Sequence, residues 1–101
     1  MDNKIEIIKL LDFSEGWGKA CNQIQDAAYE TMTIGQWNAF AIRQEKDYNE
    51  CEGSDFVVFN GHYFDWKEFG SKATEIVMAY LSYFAETQLE KILKHLQKGG
   101  K

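Results

Sequence analysis

The sequence predicts an α+β fold, and three features carry that prediction: an amphipathic stripe from Trp17 to Ala28, an Asn-Gly pair between two apolar runs, and a long helical pattern after Gly70. A chain of 101 residues has room for one domain, 1–101, and little for a second. Hydrophobic residues at 45% and charged residues at 27% match ordinary globular chains, which excludes general disorder, and the absence of proline excludes collagen-like and mucin-like classes. Three Trp, five Tyr and seven Phe supply a core without metal or disulfide staples, since each ring can bury about 150–250 Å².

Two N-terminal helices open the chain. Asp2 or Asn3 caps a short first helix running to about Leu11, with Ile7, Ile8 and Leu11 on one face; a strand over Lys4 to Ile8 is the alternative. Ser14 then reads as a second N-cap, with Glu15 near the positive helix end. From there Trp17, Ala20, Cys21, Ile24, Ala27 and Ala28 share a stripe to about Thr31, opposite Lys19, Asn22, Asp26 and Glu30.

Two readings compete for residues 33–48. Thr33 and Gln36 fit a capping box, and Ile34, Trp37, Ala41 and Tyr48 make a helical face. Against this, Phe40 and Ile42 alternate with smaller neighbours and the next element needs a partner, which favours a third strand over 38–44 in a small antiparallel sheet. A hairpin over 55–66 follows. Phe56 to Phe59 leads into Asn60 and Gly61, the pair that supplies the positive φ values of a type I′ turn, and His62, Tyr63 and Phe64 return.

Ser71 caps a long C-terminal helix, 71–98, with Gly99 and Gly100 as its stop. Its apolar stripe is broken. Ala73, Ile76, Val77, Tyr80 and Phe84 define one face, while Ala85, Leu89, Ile92, Leu93 and Leu96 define another, rotated by about a third of a turn at 100° per residue. Either the helix kinks near Glu86 to Gln88, or its second half packs on another element. Leu89, Ile92, Leu93 and Leu96 then become a contact for the first helix or for a second copy of the chain in a homodimer.

The charge is −5 overall and uneven. Lys91, Lys94, Lys98 and Lys101 are four of the eleven bases, so residues 1–90 hold all sixteen acids against seven bases, a balance of −9. An acidic surface repels nucleic acid and favours basic partners, and the four terminal lysines are accounted for by the helix dipole. No membrane span and no signal peptide is legible, and Cys21 and Cys51 fit a reduced, cytoplasmic setting.

The densest charge feature is Glu45, Asp47, Glu50, Glu52 and Asp55, read as a loop before the hairpin with Tyr48 among the acids. Calcium fails on spacing, because an EF-hand loop starting at Asp47 would need an oxygen ligand and glycine where Cys51 and Glu52 stand. A partner-binding surface with Tyr48 as its anchor is the functional reading, and a solvated charge run the plain one. His62 with Asp65, Glu68 or Cys51 is the only catalytic set that suggests itself, and nothing fixes its geometry. No catalytic residue, metal ligand set or cofactor is expected: phosphate loop, dinucleotide fingerprint and nucleophile elbow are all absent from the sequence. Trp17, Trp37 and Trp66 with Tyr63, Phe64 and Phe69 serve either a ligand pocket or the core.

The function expected from this pattern is a small, acidic, non-enzymatic inhibitor of the immunity, antitoxin or phage anti-defence type, blocking a basic and nucleic-acid-binding surface of a protein partner. A structural or assembly subunit working through the C-terminal helical face is the alternative, and a small ligand-binding or catalytic domain around His62 comes third.

Overall fold

The computed structural model describes residues 2–99; Gly100 of the glycine stop and the charge of Lys101 lie outside the described residues. The fold is α+β. In chain order it runs α1 (Asn3–Leu10), α2 (Trp17–Thr31), α3 (Ile34–Cys51), β1 (Phe56–Phe59), β2 (His62–Asp65), a 3-10 helix (Trp66–Ser71), α4 (Ala73–Leu81) and α5 (Glu86–Gln97).

Asp2 caps α1, its carboxylate accepting from the Lys4 N–H at 2.9 Å. The second cap lies elsewhere than expected. Asp12 accepts from the Ser14 N–H at 2.8 Å and pairs with Lys19 at 2.9 Å, so Ser14 is spent in a turn and α2 starts after Gly16, whose φ is 89°. The Ser14 hydrogen bonds, followed by Lys19, hold the half-buried Asp12 carboxyl well below the usual carboxylate range. The stripe of α2 forms as expected, burying Ala20, Cys21, Ile24, Ala27 and Ala28.

Residues 38–44 are helical, which replaces the third strand. Both halves of the capping box form: Gln36 N–H donates to Thr33 Oγ1 at 3.1 Å, and Thr33 N–H to Gln36 Oε1 at 3.0 Å. Two orphan donors are thereby satisfied at the first turn. Beyond it Phe40 and Cys51 are buried, with Trp37 and Gln44 half-buried between solvent and core. The hairpin gains its support from α3 lying against β1, not from another strand.

The sheet is the two-stranded antiparallel hairpin, with Phe59 opposite His62 and Phe56 opposite Asp65. Asn60 at φ 49° and Gly61 at φ 83° have the left-handed backbone of a type I′ turn. Asn60 also ties the turn down, its side-chain amide donating to the Ser82 carbonyl and hydroxyl at 3.1 Å each.

The C-terminal helix is two helices. The break spans Ser82 to Ala85, a few residues before the expected kink, where bonds from Ser82, Tyr83 and Phe84 reach back only three residues and tighten the turn. Gln88 accepts from the Ala85 N–H at 2.9 Å and restarts the helix. Breaking the rod lets both apolar faces turn onto the same pair of helices: α4 lies against α2 and α1, and α5 lies against α1 and α2. Tyr80 is the hub, with Phe40, Phe59, Tyr83 and Phe84 ringed around it at 5.5 to 6.4 Å between centroids. Among the described residues no helix is long and apolar enough to cross a membrane.

Candidate functional site: the outer face of α3

The acidic residues expected in one loop sit mostly on a helix, and the helix separates them. At about 100° per residue, Asp47 and Tyr48 point to different sides although they are neighbours in sequence. Asp47 and Glu50 look toward the hairpin. Asp47 Oδ2 accepts from the Asn60 N–H at 2.8 Å and from the Tyr83 hydroxyl, and Glu50 Oε1 accepts from the Tyr63 hydroxyl at 2.5 Å. Both phenols consequently titrate above their ordinary range, Tyr83 through burial first and Asp47 second, Tyr63 through the Glu50 hydrogen bond.

Glu45, Tyr48 and Glu52 lie on the other flank, exposed, together with Ile34 and Ile42. Ile34 is 81% exposed, Ile42 67% and Tyr48 63%, so large apolar side chains stand in solvent along this side of the helix, with Glu45, Lys46 and Glu52 charged toward its C-terminal end. Asp55 is exposed but belongs to the hairpin base, where its carbonyl accepts from the Trp66 N–H at 3.1 Å. The six expected partner-binding residues are therefore not one patch. Asp47 is a half-buried link to the turn, Glu50 is exposed while bonded to the exposed Tyr63, and Glu45, Tyr48 and Glu52 stand exposed with two isoleucines that the sequence does not single out. Ile34 was legible only as a helix-face residue. Ile42 stands on α3 and not in a strand over 38–44.

An apolar cleft of about 510 Å³ opens beside this face, between α2 and the segment running from α3 into β1. Trp17, Trp66, Tyr48, Val57 and Phe59 line it, and Tyr80 forms its floor. Trp17 and Trp66 do reach a cavity, whereas Trp37 packs edge-on to Tyr29 and beside Phe40, Tyr63 pairs with Phe56 on the hairpin, and Phe69 is buried against Trp17 and Trp66. Both cysteines line the cleft as free thiols, and burial pushes the Cys21 thiol up to about 12.

The remaining candidates are placed as follows. His62 is exposed at the start of β2, its Nδ1 within 3.2 Å of the Phe59 and Asn60 carbonyls, so its ring is held by its own turn. Among the described residues no group of three or more His, Cys, Asp or Glu is placed to hold a metal. Lys91, Lys94 and Lys98 are exposed on or just after α5, Lys94 pairing with Glu90 at 3.3 Å. The expected oligomer face is already covered: Leu89, Ile92 and Leu93 are buried and Leu96 is half-buried, because α1 and α2 of the same chain lie on that side of α5. The rotated stripe packs within the chain, on the same two helices that α4 meets.

Comparison of the chain with protein-family models, with curated proteins and with solved structures finds no match.

Proposed function

We propose that this protein is a non-catalytic binding protein of the inhibitor type, in the manner of immunity proteins, antitoxins and phage anti-defence proteins, that covers a basic surface of a protein partner with the outer face of α3. The supporting observation is the exposure of Ile34, Ile42 and Tyr48 on α3, which also presents Glu45 and ends at its C-cap Glu52. Apolar and aromatic anchors exclude water at the centre of an interface, and acids around them steer a basic partner and fix its register. The protein's net charge of −5 adds to the steering. Where the covered surface binds nucleic acid, the carboxylates of Glu45 and Glu52 occupy phosphate positions.

The test is affinity capture from a lysate of the source organism, with three baits: the wild type, an Ile42→Asp, Glu45→Lys, Glu52→Lys variant, and a Lys91→Glu control on α5. The reading requires a protein with a basic surface that the wild type and the control retain and the α3 variant loses, with association slowed as salt is raised. Equal retention by all three baits, or a captured protein whose interface is acidic, overturns it.

A further inference from the structure

We propose that the cleft between α2 and β1 receives an arginine side chain of the basic protein partner. The proposal rests on the reading of α3 as the face that meets such a partner, since Tyr48 and Glu52 belong to both, and it names the group that the partner brings. A volume of about 510 Å³ takes a long side chain together with the backbone that delivers it, and falls within the range of about 300–1,000 Å³ found for binding pockets.

The electrostatics of the cleft favour a cation. Glu52 is the one charged side chain in its lining, and no lysine, arginine or histidine lines it among the described residues. The last turn of α3 also ends there: Tyr48 and Cys51 line the cleft from the helix, Glu52 is its C-cap, and Gly53 and Ser54 continue the wall. A helix C-terminus carries partial negative charge and is stabilised by a base in its last turn. In α3 that turn holds no base, and the helix closes with Glu50 and Glu52. Glu52 makes no ion pair among the described residues. An arriving cation therefore meets a carboxylate and a negative helix end without displacing a resident base.

The rings decide which cation. Trp17, Tyr48 and Trp66 line the same cleft. Trp66 spends one side of its ring on Phe69, at 4.4 Å between centroids and 33° between planes, yet remains 52% exposed. Aromatic rings attract cations over their faces, tryptophan most strongly, and arginine fills this role more often than lysine. A guanidinium is flat and weakly hydrated, so it stacks on a ring while its edge donates to a carboxylate in a forked pair. An ammonium is a compact, strongly hydrated charge and gives up more water on entering an apolar cleft. Tryptophans and one carboxylate in a single lining suit the face and the edge of a guanidinium together.

The probe is acetyl-Gly-Arg-Gly-amide, compared with the same peptide carrying lysine and with one carrying citrulline, which keeps the shape of arginine without its charge. Binding to the full chain at low salt is read from the indole N–H signals of Trp17 and Trp66 in NMR spectra. The wild type should bind one arginine peptide, with the lysine peptide weaker by about threefold or more and the citrulline peptide by about tenfold or more. Glu52→Gln and Trp66→Leu should each weaken the arginine peptide by about threefold or more. Tyr48→Leu, at an exposed position, is the second ring variant should Trp66→Leu disturb the 3-10 helix. Glu30→Gln, an exposed acid on α2 outside the lining, should leave the affinity unchanged.

Absence of saturable shifts, equal affinity for the arginine and citrulline peptides, tighter binding of lysine than of arginine, unchanged affinity in every folded cleft variant, or an equal loss in Glu30→Gln each overturns the proposal. None of these results touches the capture test of the α3 face, whose variant also changes Ile42 and Glu45. A chain that binds the arginine peptide selectively but captures no basic partner fails the α3 reading and with it the source of the arginine, while the preference of the cleft stands.

Discussion

The two flanks of α3 carry the same residue types within one turn of each other and use them oppositely. On the hairpin flank Asp47 and Glu50 are each bonded to a hydroxyl from another element, and Arg43 donates to the Tyr83 carbonyl with its guanidinium 5.6 Å above the Tyr83 ring. On the outer flank Glu45, Tyr48 and Glu52 stand exposed. What separates the flanks is rotation about the helix axis, not composition. A charge run becomes structure or surface according to which neighbour each 100° step brings into reach.

The sharpest way to break this comparison is to remove one acid from each flank. Asp47→Ala strips an acceptor from the buried Tyr83 hydroxyl and from the hairpin turn, and should lower the unfolding free energy by about 2–3 kcal/mol, because hydrogen bonds to charged groups are worth about 1.5–3 kcal/mol and the donors are left unpaired. Glu45→Ala has no such partner and should stay within about 0.5 kcal/mol of the wild type. Urea unfolding monitored by tryptophan fluorescence reads both. Equal losses would show that the flanks do not differ energetically.

The hairpin turn supplies the next effect. Gly61→Val forces a β-branched residue into φ 83°, which should cost about 1–2 kcal/mol. Asn60 in the same turn bonds Asp47 and Ser82, so the turn and the inner flank form one unit. In a double-mutant cycle Gly61→Val and Asp47→Ala should therefore be less than additive. Full additivity would disconnect the turn from the flank.

Elements marked by local chemistry were legible in the sequence. The Asn60–Gly61 turn, the α2 stripe and the Thr33–Gln36 capping box each depend on residues a few positions apart, and all three form. What the residues could not decide was set by long-range packing. Phe40 and Ile42 alternate like a strand, yet Phe40 stacks on Phe84 at 4.8 Å between centroids, an interaction with a residue on the far side of the hairpin. The rotated stripe of α5 marks a break in the C-terminal helix, and both halves then pack on α1 and α2; a sequence has no means of saying whether such a face meets its own chain or another. The acidic cluster failed for the same reason. Counting charges along the chain treats Asp47 and Glu45 alike, and only the position of Tyr83 and Asn60 distinguishes them.

A smaller effect tests the inner wall of the cleft through pH. Burial pushes the Cys21 thiol from its ordinary 9.0 up to about 12, so the folded chain keeps this proton at pH values where the unfolded chain releases it. Stability from this group is full below pH 9 and declines as pH rises from there toward 12, because the unfolded state then binds fewer protons than the native state. Tyr80 and Tyr83 are also raised by burial and add loss in the same direction. Cys21→Ala should accordingly shrink, without abolishing, the drop in urea midpoint between pH 8 and pH 10.5. At neutral pH Cys21 should react slowly with thiol reagents in the folded protein, since the thiolate is the nucleophile. An identical alkaline drop in wild type and variant would show that the thiol titrates normally.

The smallest stability effect, and the one that bears most on function, belongs to the outer flank. Glu45→Lys with Glu52→Lys changes two exposed carboxylates that make no ion pair among the described residues, so stability should move by no more than about 0.5 kcal/mol. Against a basic partner of the kind proposed, the same variant should associate more slowly and show a flatter dependence on salt, because steering acts on encounter and weakens as the Debye length shortens. Tyr48→Ala should instead act mainly on dissociation, since truncating an interface anchor leaves encounter almost untouched. Stopped-flow association and dissociation at two ionic strengths separate the two effects. If charge reversal on the outer flank leaves association and its salt dependence unchanged while Asp47→Lys alters them in folded protein, the comparison inverts, and the binding surface is the flank that faces the hairpin.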